Sequence, residues 1–170
     1  MLLALERCAA RLLLAFDSSL LVSVSWKPLR SGMEIWNVGP FFDNDGAVDW
    51  CDELEILPAG RRQDFLRDTL SNVVVNPTDT SVLSTLRGIA AAATVLQLIT
   101  GVVDLSTPYA PRFLMDSDDV VATAELRELA RNAIRIVTTD GSAWRGMWAG
   151  DIEEDAALDV IDGLYKALGG

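Results

Sequence analysis

The stretch T-D-T-S-V-L-S-T-L-R-G-I-A-A-A-A-T-V-L-Q-L-I-T, residues 78–100, decides the fold. Thr78, Asp79, Thr80 and Ser81 are residue types that accept hydrogen bonds from the free N–H groups of a helix's first turn, so they predict a helix running to about Thr100. That helix is apolar nearly all round: Val82, Leu83, Leu86, Ile89, Ala90 to Ala93, Val95, Leu96, Leu98 and Ile99. Its length suits a membrane span. Arg87, Gln97 and several Ser and Thr interrupt it, however, and neither an aromatic belt nor a basic flank marks its ends. The expectation is a central helix covered by its neighbours, with four consecutive alanines letting them approach closely.

Upstream, Asn76-Pro77 separates this helix from another expected over Arg61 to Val73, with Phe65, Leu66, Leu70 and Val73 inward. Pro58 and Gly60 should end the helix before it. That first helix is expected to begin near Asp45 and to place Ala47, Trp50, Leu54 and Leu57 on one face, opposite Asp45, Asp49, Asp52 and Glu53. It grows out of W-N-V-G-P-F-F-D-N-D-G-A-V-D-W, Trp36 to Trp50, where Gly39-Pro40 fixes a turn and Asp43, Asn44 and Asp45 suit a helix start.

Downstream, Gly101 to Met115 reads as a loop. A fourth helix is expected from Asp116 or Ser117 to about Val137, with Val121, Leu129, Ala130, Ala133, Ile134 and Val137 inward. After the turn Thr139-Asp140-Gly141-Ser142, Trp144 and Trp148 share one side of a short helix. Asp151 with Glu154 resembles a capping box for the last helix, whose stripe is Ala157, Val160, Ile161, Leu164 and Leu168. No alternating strand pattern stands out. The fold class is therefore all-α: a single compact domain of about five main helices around an Ala-rich central helix, with a Trp/Gly/Pro-rich N-terminal turn.

Residues 1–32 read differently. They carry 4 basic and 2 acidic groups, against 10 basic and 23 acidic in the remainder. Charges break the apolar run, which fits neither a signal peptide nor a membrane span. The expectation is an N-terminal extension ahead of a helical domain over 33–170, with a membrane- or partner-docking amphipathic helix as the rival reading.

The composition excludes several chemistries. Histidine is absent, which removes imidazole-based triads, HExxH metal sites and proton shuttles. Cys8 and Cys51 have no zinc or redox spacing, and Cys51 is expected to be a small buried hydrophobe in a reducing compartment. A net charge of -11 and a pI near 4.3 repel nucleic-acid phosphate and anionic lipid. We expect no nucleic acid, no membrane and no cofactor.

Three constellations remain. Asp43, Asp45 and Asp49 offer hard oxygen donors for a divalent cation, although EF-hand spacing fails: Gly46 falls fourth and Leu54 twelfth. Asp43-Asn44-Asp45-Gly46 and Gly150-Asp151 through Asp155 resemble the D-x-D-G and G-D-x-x-x-D motifs of the haloacid dehalogenase superfamily. That resemblance would make Asp43 a phosphoryl-accepting nucleophile, Asp45 its acid/base partner, and Asp151 and Asp155 Mg²⁺ ligands. The helical context lacks the parallel strands such chemistry needs. Arg127, Arg131 and Arg135 form an i, i+4, i+8 stripe that calls for an acidic partner on a neighbouring helix, or for an acidic peptide or anion. Trp36, Trp50, Trp144 and Trp148 are expected in core and lid rather than in a ligand cage, with Trp36 and Trp50 anchored against the Trp144/Trp148 segment.

Two stretches together resemble a bacterial family known as domain of unknown function 4259. Its opening pattern M-G-x-W-G-x-G-x-F-D-N-D-x-A-x-D-W is matched by Met33, Trp36, Gly39, Phe42, Asp43, Asn44, Asp45, Ala47, Asp49 and Trp50. Its closing D-S-E-W-R-E-L-W segment is matched by Asp140, Ser142, Trp144, Arg145 and Trp148, and the resemblance runs from Met33 to about Leu168. Glu34 and Asn37 depart from the pattern, as does one additional phenylalanine between Pro40 and Asp43. The resemblance implies no substrate, cofactor or catalytic residue. The functional expectation is a small, acidic, cytoplasmic, non-catalytic module that binds a basic protein partner, of the regulatory or immunity type. The alternative is a metal-dependent phosphoryl-transfer enzyme using Asp43 and Asp45.

Overall fold

A computed structural model describes residues 38–41, 45–77, 81–104 and 107–170. The readings made for residues 1–32, for Met33, Trp36, Phe42, Asp43 and Asn44, and for the caps at 78–80 lie outside these residues. Within them six α-helices follow one another, α1 (Asp45–Ile56), α2 (Ala59–Val75), α3 (Val82–Thr100), α4 (Ala124–Val137), α5 (Ala143–Trp148) and α6 (Glu154–Ala167), with no strand among the described residues.

Helix α3 forms where its sequence places it. The Ser81 hydroxyl accepts the Ser84 N–H at 3.1 Å, and Gly101 closes the helix at φ 69, a left-handed angle glycine adopts without strain. Ala90 to Ala93, Thr94 and Val95 are buried, and the Thr94 hydroxyl is satisfied by the Ala90 carbonyl at 2.9 Å. By length and composition α3 could cross a membrane, yet over half of it is buried, and α1, α2, α4, α5 and α6 all pack on it. Small residues set the spacing at two of these contacts. A Cβ on Gly88 would lie 2.6 Å from Val73 Cγ2 of α2, and one on Gly46 of α1 would lie 2.9 Å from Leu83 Cδ1 and 3.4 Å from Leu86 Cβ.

Helix α1 begins at Asp45 as read and buries Ala47, Trp50, Cys51 and Leu54, while Leu57 beyond its end is only half-buried. The Trp50 indole N–H donates to Thr69 Oγ1 at 2.9 Å, and its ring stacks on Phe65 at 5.9 Å and 15°. Both partners belong to α2, so Trp50 is anchored on α2, while Trp144 makes its ring contact with Trp148. Helix α2 starts two residues earlier than expected. Pro58 takes the position before its first turn and accepts the Arg61 N–H at 2.8 Å, which leaves Gly60 inside the helix rather than ending α1.

The end of α1 is completed from outside. No basic residue stands in its last turn, so its terminal carbonyls need donors from elsewhere. Arg62 of α2 supplies them, donating to Leu54 O at 3.2 Å and Glu55 O at 2.7 Å, pairing with Asp119, and lying 4.7 Å above the Phe113 ring.

The next residue on α2, Gln63, explains the largest correction. Helix α4 starts at Ala124, not at Asp116 or Ser117. The Gln63 amide holds Val121 at both backbone groups, accepting its N–H at 2.8 Å and donating to its carbonyl at 3.4 Å. Residue 121 is therefore fixed outside any helix, and its side chain is 61% exposed rather than inward. Thr123 is the actual cap, accepting the Leu126 N–H at 3.2 Å. Within the long connection before it, Arg112–Asp116 makes a single 3-10 turn, and Gln97 of α3 donates to Pro111 O at 3.2 Å.

Ser142 caps α5 and Trp144 is buried. At α6 the capping box is replaced by a different arrangement. The Asp151 carboxylate accepts the Glu153 N–H at 2.8 Å, and Glu154 reaches back to Gly150 N at 2.9 Å, so the helix begins at Glu154 with Glu153 before it. Ala157, Ile161, Leu164 and Leu168 are buried and Val160 is half-buried.

Replacing Gly88 with alanine should lower the unfolding free energy by about 1 kcal/mol, a packing cost of about 1–3 kcal/mol partly offset by alanine's better helix propensity. Combined with Val73→Ala, which removes the obstructing methyl, it should cost about 1 kcal/mol less than the two single changes together. Urea unfolding of the four proteins measures this, and strict additivity would show that Val73 does not set the spacing. Arg62→Ala should cost about 3 kcal/mol and Arg62→Lys nearly as much, since an ammonium cannot serve both carbonyls and Asp119 at once. Equal stability of Arg62→Lys and the unaltered protein would contradict the bridging role.

Candidate functional site

The carboxylates singled out in the opening stretch do not converge where they can be described. Asp45, Asp49 and Asp52 lie exposed on the outer face of α1, and Glu53 on the same helix makes a two-pronged pair with Arg87 of α3 at 2.7 and 3.2 Å. Among the described residues no group of three Cys, Asp or Glu side chains is placed to hold a metal ion. Gly39, Pro40 and Phe41 are buried. Phe41, the additional phenylalanine relative to the resembling pattern, is thus part of the core.

The second acidic motif sits at the start of α6. Asp151 is engaged with the Glu153 N–H, while Asp155 is exposed in the first turn. Both belong to a helix start, where their charge suits the dipole. Cys51 is 5% exposed, and burial, followed by the neighbouring Asp52 charge, pushes its thiol up to about 12. A thiol so held stays protonated at neutral pH and is a poor nucleophile. It borders a cavity of about 210 Å³ between α1 and the connection, lined also by Asp52, Glu55, Tyr109, Arg112 and Phe113.

The tryptophans of α5 pack together, Trp144 buried and Trp148 half-buried, with ring centroids 6.4 Å apart at 56°. Arg145 between them is half-buried and lies near the exposed Asp140 and the half-buried Glu154 at 3.8 and 3.9 Å, long contacts worth little to stability.

The arginine stripe of α4 divides. Arg127 donates to Leu168 O at 2.8 Å and Arg131 to Gly169 O at 2.9 Å, so two guanidinium groups close the C-terminal end of α6. Gly169 adopts φ +90, and a Cβ there would lie 2.7 Å from Arg127 Nη2. Arg131 also binds Glu128 of its own helix, whose carboxyl that hydrogen bond holds below its usual range. The partners of these two arginines are thus the Leu168 and Gly169 carbonyls just beyond α6 and an acid one turn away, in place of an acid on a neighbouring helix.

Arg135 is different. Its carbonyl accepts the Thr138 hydroxyl at 3.1 Å, but among the described residues its guanidinium has no ion pair and no hydrogen bond. It borders a groove of about 470 Å³ between α4 and α6, whose α6 side carries Leu158, Asp159, Ile161, Asp162 and Tyr165. Sequence reasoning marked Arg135 but missed the α6 side. Leu158, Ile161 and Tyr165 stand at i, i+3, i+7, an apolar edge beside the buried stripe that helical periodicity alone could have shown.

Compared with known proteins, the chain matches no curated protein and no solved structure. One family profile does match, over residues 34–159, from the opening stretch to the middle of α6. Covering most of the sequence, that match shows that the chain belongs to the family described as Domain of unknown function (DUF4259).

Proposed function

We propose that this protein works by binding another protein, as a regulatory or immunity-type module in the cytoplasm, and carries out no chemistry of its own. One observation carries the reading: its excess negative charge stands on exposed helix faces. Asp45, Asp49 and Asp52 line α1, and Asp155, Asp159 and Asp162 line α6. Acidic groups spread over a surface generate a long-range field that steers a basic partner, whereas catalysis concentrates a few groups at one point. The buried Cys51 thiol agrees with a structural role for that residue.

The partner should be basic, and its association rate should fall about tenfold or more between low and high salt, as steered encounters do. Capture with the full chain followed by stopped-flow association at two ionic strengths measures this. A salt-independent rate overturns the electrostatic reading. Mg²⁺-dependent phosphatase turnover that Asp43→Asn abolishes overturns the non-catalytic one, in favour of phosphoryl transfer through Asp43 and Asp45.

A further inference from the structure

We infer that the groove between α4 and α6 receives one amphipathic helix of that partner, seated on Leu158, Ile161 and Tyr165, with a carboxylate on Arg135 and cationic side chains over Asp159 and towards Asp155 one turn before it. The inference rests on the protein-binding reading and locates its surface.

The floor is apolar and only partly covered. Ile161 is buried, whereas Leu158 and Tyr165 are half-buried beside it. From Leu158 to Tyr165 the edge extends about 10 Å along α6, two helical turns. A second helix laid along it would present apolar positions at i, i+3 and i+7 to match.

The rims select by charge. Asp155, Asp159 and Asp162 follow at i, i+4, i+7, and Asp162 is already bound by Lys166 of the next turn. That leaves Asp155 and Asp159 without an ion pair or hydrogen bond among the described residues. Across the groove stands the unpaired Arg135. A small anion drawn to Arg135 would meet Asp159 and Asp162, and an unbroken polycation drawn to the aspartates would meet Arg135. The complement of both rims is a helix with lysine or arginine along one flank and a glutamate or aspartate on the other. The cation stripe of α4 narrows this further, because Arg127 and Arg131 are engaged with the end of α6. Arg135 is the one member of that stripe available to a partner.

The test uses the full chain and a synthetic Leu/Lys amphipathic helix of about 18 residues, long enough to hold helical structure, carrying one glutamate opposite its lysines. Calorimetry and amide chemical-shift mapping should show binding centred on residues 135, 138 and 158–165. Asp159→Lys and Arg135→Glu should each weaken it about tenfold. Asp49→Lys, on the separate acidic face of α1, should change it less than twofold. Removing the glutamate from the peptide should abolish the effect of Arg135→Glu or reverse its sign. Equal binding of a scrambled peptide, shifts centred on α1, or equal losses from Asp159→Lys and Asp49→Lys would each overturn the assignment. A natural partner that keeps full affinity for both groove variants overturns the groove and leaves the protein-binding reading standing. If no protein associates with the unaltered chain, that broader reading falls, while the peptide data still decide the groove.

Discussion

The closeness of the helices around α3 is the constraint on which the rest depends. An ordinary helix pair keeps its axes apart by the size of the side chains between them. Here glycine at 88 and at 46 and alanine from 90 to 93 remove most of that padding. Five helices can then all pack on one core helix. Large side chains fill the outer layer instead: Trp50 with Phe65 between α1 and α2, Leu126 and Ile134 from α4, Ile161 and Leu164 from α6.

A second regularity is the use made of the basic residues in an acidic chain. Arg62 completes the carbonyl end of α1, and Arg127 and Arg131 complete that of α6. In each case the cation comes from a neighbouring helix and joins two elements as it satisfies the backbone. Arg87 is held by Glu53 and Arg112 by the Thr107 carbonyl at 2.7 Å. Cations so engaged have their donors taken up within the fold, whereas Asp45, Asp49, Asp52, Asp155 and Asp159 on the helix faces stay exposed.

Much of this was legible beforehand. The limits of α3, the start of α1 and the inward positions of α2 follow from periodicity and from breakers whose effect is local, such as Asn76-Pro77. The failures share a cause. The start of α4 was misplaced because Asp116 and Ser117 are good caps in isolation, while the deciding group, Gln63, lies 58 residues away. The capping box at α6 failed by a shorter route, since Asp151 serves a turn before the helix rather than the helix itself. The Arg127/Arg131/Arg135 stripe was visible, but its division was not, because carbonyls at the end of another helix carry no mark in sequence. The apolar edge of the groove was present as spacing and was overlooked beside the stronger buried stripe of α6.

The adjacent residues Arg62 and Gln63 have a consequence for how the chain can vary. Between α3 and α4 the backbone has no ladder of its own to keep it in register. Its later half is held by two side chains of α2, one through Asp119 and Phe113 and the other through Val121. Changes in the length of this connection should therefore disturb the structure unevenly. Residues gained or lost just after Gly101 leave those grips in place, whereas the same change between Phe113 and Thr123 shifts every contact beyond it. The connection and the first turn of α2 are thus coupled through side chains, although the whole of α3 separates them in sequence.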